Sequence, residues 1–328
     1  MEREREDEQV LEELTEFNRQ FQTLQDTSEN GFRLFIVGSQ LREGTATRYE
    51  DCPPEEMIID RSIQNWVLSG TQDVMNEVLN YEVVNIQEVD ESGESIRRYI
   101  ELHELSLLNQ WKDTIANNET ETNARRQINN DHFKPKALIA SFQYNGRTLY
   151  FLKAISERVL LKTQTILGFD VGRECYELDE GHNQKLFLDD RWDAIIFDSN
   201  VIMYNESKIL SLFKYYEKFR EAAEQVLTQI DGLDILSEDA DLQSLIGYQV
   251  TWQKKLARAA QYSFDNIRRE RIESLINDNM IPLSLNVEGR IECTTKEEAK
   301  VVIDIILDNY VTSLITDENY KALNKSRM

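Results

Sequence analysis

The stretch ALIASFQYNGRTLYFLK, residues 137–153, decides the reading of the fold. Two runs rich in aliphatic and aromatic residues flank Asn145-Gly146, a pair that tolerates positive φ at both positions and so favours a two-residue hairpin turn. In that register Tyr144 faces Arg147, which puts Phe142, Leu149 and Phe151 on the same sheet face as Arg147 and Lys153. Further β runs follow at 159–162, 184–188 and 194–204 with no helical pattern between them, so the middle of the chain reads as an antiparallel sheet.

On the amino-terminal side an acidic tail leads into Val10, Leu11, Leu14, Phe17, Phe21 and Leu24, spaced by threes and fours as in an amphipathic helix. A strand is expected over 32–37, two short helices broken near Gly70 over 60–80, and a strand over 81–89. Residues 117–131 are polar with almost no apolar side chain, and they mark an expected boundary between an α+β domain (1–130) and a second domain (131–328) with its sheet over 133–204. On the carboxyl-terminal side, Asn205 suits a helix cap with Glu206 in the first turn, and Ile209, Phe213, Tyr216, Phe219, Ala223, Val226 and Ile230 form one apolar stripe. The region 205–328 is expected to be mainly helical, with a long helix over about 249–277, a small hairpin turning at Glu288-Gly289, and a helix capped by Thr294 or Thr295. The fold class is therefore α+β.

The 328 residues are 41% hydrophobic and 30% charged, which excludes collagen-like, disulfide-scaffold and wholly disordered classes. No apolar run approaches the roughly 20 residues of a membrane-spanning helix, and residues 1–13 lack the basic start and apolar stretch of a secretory signal, so a cytoplasmic location is expected. Cys52, Cys175 and Cys293 are isolated and fit free thiols in a reducing compartment, while His103, His132 and His182 lack partners at metal-ligand spacing. No metal site or cofactor is expected.

The net charge of −23 hides a segregation. Between Arg125 and Arg173 the chain carries a net of +6, and residues 251–275 a net of +3, which leaves −32 on the rest. The first island contributes Lys134, Lys136, Arg147, Lys153, Arg158 and Lys162, interleaved with Tyr144, Tyr150 and Phe151 as in many nucleic-acid grooves. In the second, Lys254, Lys255, Arg258, Arg268 and Arg269 gather on one side of a continuous helical wheel, opposite Trp252, Leu256, Ala259, Ala260 and Ile267, with Asp265 among them. Each island reads either as a phosphate-binding surface, which would sense shape and not base sequence, or as a solvated face paired with the acidic remainder.

Catalytic signals are sparse. Asp198, Glu206 and Lys208 loosely match an arrangement in which two carboxylates hold Mg²⁺ and a lysine orients water, but that needs Glu206 on a strand, where a helix start is expected. Asp189, Asp190 and Asp193 read first as a turn between strands and second as cation ligands. Phosphate-binding loops, dinucleotide fingerprints, and zinc-protease and serine-hydrolase motifs are missing.

The run Leu167-Gly168-Phe169-Asp170, Leu186-Phe187-Leu188-Asp189, Asp193-Ala194-Ile195-Ile196-Phe197-Asp198, Tyr204-Asn205 and Leu212-Phe213-Lys214-Tyr215-Tyr216-Glu217 resembles the KwaB-like family of bacterial Kiwa antiphage defence. Glu288-Gly289-Arg290-Ile291, Thr295-Lys296-Glu297-Glu298-Ala299, Leu314-Ile315-Thr316, Tyr320 and Lys325 extend the resemblance, which covers roughly 133–328. It implies a cytosolic DNA-binding defence protein that works with a small membrane partner (KwaA-like), through which it could be recruited peripherally to the inner membrane, and that self-associates as a dimer or higher oligomer. It names no catalytic residue. Only a framework carries over by residue: Phe169, Asp170, Asp193, Phe197, Asn205 and Phe213. The expected function is a non-catalytic, sequence-nonspecific subunit binding double-stranded DNA through the two basic islands. The alternatives are a metal-dependent nuclease using Asp198, Glu206 and Lys208, or an acidic DNA-mimic or scaffold protein whose active feature is the −23 charge.

Overall fold

The computed structural model describes residues 12, 14–16, 18–19, 21, 31–41, 49–78, 80–86, 96–117, 121–122, 133–144, 146–155, 165–170, 175–178, 185–188, 191–246, 249–260, 269–278, 281–307, 310–312 and 319–321. The chain divides into two compact units, one of residues 1–86 and 93–213, the other of residues 87–92 and 214–328.

The first unit is built on the hairpin. Strands β7 (Phe133–Tyr144) and β8 (Arg147–Ala154) pair from Tyr144↔Arg147 to Ala137↔Ala154, as the turn chemistry requires, with Gly146 at φ +78°. To these are added β1 (Arg33–Leu41), β2 (Tyr49–Asp51), β3 (Glu55–Glu56), β4 (Glu82–Asn85), β5 (Ile96–Glu101), β6 (Glu121–Thr122), β12 (Ala194–Phe197) and β13 (Asn200–Met203). They form a ten-stranded sheet in the order β4-β5-β13-β12-β8-β7-β1-β3-β6, with β2 on the end of β1. Only β3/β6 and β4/β5 pair in parallel. Because β1 runs beside β7, strands from both sides of residue 130 share one sheet, and the expected boundary at 130/131 falls inside this unit. Between Val37 and Gly38 the β1/β7 register slips, and a Cβ on Gly38 would lie 2.4 Å from the Lys134 carbonyl oxygen, so glycine is what lets the two backbones approach there.

Period-two alternation sends the sheet's side chains to two buried faces. Leu34, Ile36, Leu138, Ala140, Phe142, Leu149 and Phe151 join Leu14, Phe21, Trp192, Phe197 and helix α1 (Arg61–Val78) in one core. Gly70 is buried inside α1, which is a single helix where two had been expected: a glycine lowers helix propensity by about 1 kcal/mol, and packing against the core outweighs that. Helix α2 (Ser106–Ala116) contributes Leu108, Trp111 and Ile115 to the buried set. The run 194–204 is a hairpin and not one strand, because Asp198 adopts φ +49° between β12 and β13. A separate three-stranded sheet, β10-β9-β11, consists of β9 (Thr165–Asp170), β10 (Cys175–Leu178) and β11 (Lys185–Leu188). The expected run 159–162 lies outside the described residues. Helix α3 (Glu206–Leu212) closes the unit, capped by Asn205, whose Oδ1 accepts from the Lys208 amide at 3.3 Å.

The second unit is helical. It contains α4 (Tyr215–Gly232), α5 (Leu242–Ile246), α6 (Val250–Ala259), α7 (Arg269–Asn277), the hairpin β14/β15 (Ser284–Leu285, Ile291–Glu292), α8 (Lys296–Ile306) and the hairpin β16/β17 (Tyr310–Thr312, Asn319–Lys321). The stripe expected on one helix over 206–230 is shared by two, since Lys214 turns the chain at φ +53°. Ala223, Val226, Ile230, Leu256, Ile272, Ile291, Val302 and Ile303 lie in its core. Gly289 turns the small hairpin at φ +73°, and Thr295 and Glu298 form a capping box at the start of α8.

Candidate nucleic-acid interface

The two basic islands fare differently once folded. In the first, Lys153 is 2% exposed: it lies on the face of Leu149 and Phe151, and its ammonium donates to the Arg191 carbonyl. Lys136 is paired with Asp51. Lys134 is exposed over the Tyr49 ring, 4.4 Å from its centroid, and Arg147 is exposed, 5.9 Å from the Phe197 centroid. The two stand at opposite ends of β7, ten residues apart, which is roughly 33 Å of strand. The hairpin thus does not present its cations as one surface. Arg158 and Lys162 lie outside the described residues.

Beside Lys153 is a buried polar hub. The Asp193 carboxylate accepts from the Ala154 amide at 2.9 Å and from Lys208 Nζ at 3.1 Å, while its backbone carbonyl accepts from the amides of Tyr204 and Asn205. Burial pushes the carboxyl above its ordinary pKa, and Lys153 and Lys208 pull it back. The residues of the proposed nuclease set are not brought together. Asp198 sits exposed in the β12/β13 turn, its carbonyl accepting from Lys112; Glu206 lies beyond the other end of β13 and pairs with Arg98 at 2.6 Å; and Lys208 is held by Asp193. Among the described residues no group of three His, Cys, Asp or Glu side chains could hold a metal ion. Asp189 and Asp190 lie outside the described residues.

The second island gathers a surface on α6. With Trp252 set at 0° and about 100° per residue, the buried Gln253, Leu256 and Ala259 fall near 100°, 40° and 340°, whereas Lys254, Arg258 and Lys255 fall near 200°, 240° and 300°. Lys254 reaches toward α4, with Nζ 5.6 Å from the Phe219 centroid. Lys255 lies 5.3 Å from the Trp252 centroid, and Lys300, from α8, lies 5.9 Å from the same ring. On α4, Lys218 stands 4.9 Å from the Tyr215 centroid. A cation over an aromatic face gains about 0.5–1 kcal/mol at exposed sites and holds its long side chain in place. Lys254, Lys255 and Arg258 thus lie side by side on α6, each half-buried, and Lys300 pairs with Glu297 at 4.0 Å.

Lys218 and Lys300 were not singled out from the sequence, because nothing in linear spacing joins three helices; the signal within one helix was an aromatic residue three positions before a lysine, Tyr215 before Lys218 and Trp252 before Lys255. Arg269 does not belong to this face. It is bound to Glu273 at 2.8 Å, to Asp234 at 3.7 Å and to the Glu288 carbonyl, and it braces the β14/β15 hairpin with Arg290, which pairs with Asp234 at 2.9 Å. Arg268 lies outside the described residues, and α6 ends at Ala259, so the continuous wheel across 254–269 is replaced by separate helices.

A family model described as Kiwa protein KwaB-like matches residues 134–316, from the start of β7 through β16. That is more than half of the 328 residues, and the chain belongs to this family. It is accordingly an antiviral defence protein, one component of a Kiwa system with partner proteins. A search of curated proteins and one of solved structures gave no match. Four of the framework positions expected from the resemblance have structural roles here: Asp193 is the hub, Phe197 is core, Asn205 caps α3, and Phe213 packs 5.6 Å from Trp111. Among the described residues no helix is long and apolar enough to cross a membrane.

Proposed function

We propose that this chain is a non-catalytic subunit of a Kiwa-type defence complex that binds double-stranded DNA through the outer face of α6. Lys254, Lys255 and Arg258 on α6, with Lys300 on α8, contact the phosphates; Lys218 extends the surface, and the bases are not read. The observation that carries this reading is the seating of Lys255 and Lys300 over one tryptophan ring from two helices, which fixes positive charge on a locally basic face of a −23 chain. The buried Phe219 and Tyr215 anchor lysines and offer no stacking platform for bases, which favours a duplex. The complex self-associates, and a small membrane protein recruits it from the cytosol to the inner membrane. The reading is tested by fluorescence anisotropy with a labelled duplex of a few tens of base pairs, without metal. Binding that falls steeply with salt, and is lost on charge reversal of the α6 face, is the expected result; binding that ignores that face overturns it.

A further inference from the structure

We draw no further inference here: the strongest candidate, the cavity of about 320 Å³ lined by Ala154, Ile155, Ser207, Lys208, Ser211 and Leu212 between the end of β8 and α3, carries nothing, because its one charged side chain, Lys208, is already held by Asp193 at 3.1 Å, the Ser207 hydroxyl donates to Asn205, and nothing among the described residues points to a ligand there.

Discussion

Replacing Lys254, Lys255 and Lys300 together by Glu is the sharpest perturbation of the proposed interface. In the proposed interface these lysines and Arg258 would make four phosphate contacts. Each neutralised phosphate contributes a slope of about −0.9 to log K against log salt, so the intact face predicts about −3.6, an affinity loss of roughly 150-fold between 50 and 200 mM salt. Arg258 alone would leave about −0.9, roughly a 3.5-fold loss over the same range. The assay is anisotropy of a labelled 30-base-pair duplex across that salt series. Lys255 and Lys300 also sit over Trp252, so the variant loses about 0.5–1 kcal/mol per contact, and its circular dichroism and denaturation midpoint are recorded alongside. A variant slope equal to the wild-type slope refutes the assignment to α6, and no salt-dependent binding by the wild type at low salt refutes DNA binding through this face.

Asp193→Ala removes the acceptor of the Ala154 amide and of Lys208 and leaves Lys153 buried nearby, and it is expected to cost about 3–5 kcal/mol in urea denaturation. The raised Asp193 carboxyl means that the folded chain holds this proton more tightly than the unfolded chain does; its contribution to stability therefore falls as pH rises from the ordinary carboxylate range through the raised value, and Asp193→Asn flattens that limb of the pH–stability curve. Glu298 behaves in the opposite way: amides of Thr294 and Thr295 hold it below its ordinary value, so its stabilisation is present above the ordinary pKa and lost as pH falls through the lowered one, an effect Glu298→Gln removes. Thr295→Ala costs about 1 kcal/mol through loss of the cap, measured by chemical denaturation. Burial pushes the Cys293 thiol up to about 11, so mass spectrometry should find it unmodified by iodoacetamide at pH 8 until denaturant is added.

Local chemistry made much of the framework legible. The β7/β8 hairpin, the Asn205 and Thr295 caps and the Glu288-Gly289 turn each depend on a few neighbouring residues, and the turn or cap can be satisfied in only a few ways. Gly70 misled because a glycine's backbone cost is local, whereas the packing that retains it in α1 comes from distant strands. The charge islands misled in a related way: a net charge says nothing about which face a lysine occupies. Lys153 shares its face with Leu149 and Phe151, and that alternation, taken seriously, already places it in the core. The α6 face could be read only in part, since Lys300 joins it through the packing of α8.

The sheet order sets a timetable for the nascent chain. Strand β5 takes its antiparallel neighbour from β13, with Ile100 opposite Val201, and β1 waits for β7 with Leu34 opposite Ala140. At about 5–20 residues per second, β5 spends roughly 5–20 s on the ribosome before β13 is synthesised. During that interval its backbone amides and carbonyls on that side have no strand to meet, and an unpaired edge invites any other extended segment nearby. Closure of the sheet therefore comes late, when the hairpin β12/β13 slides between β5 and β8 and fills the last gap in the order. Truncations before residue 203 should accordingly leave two half-sheets with open edges and should aggregate in the cell, whereas a chain ending just after α3 has every strand of the sheet in hand.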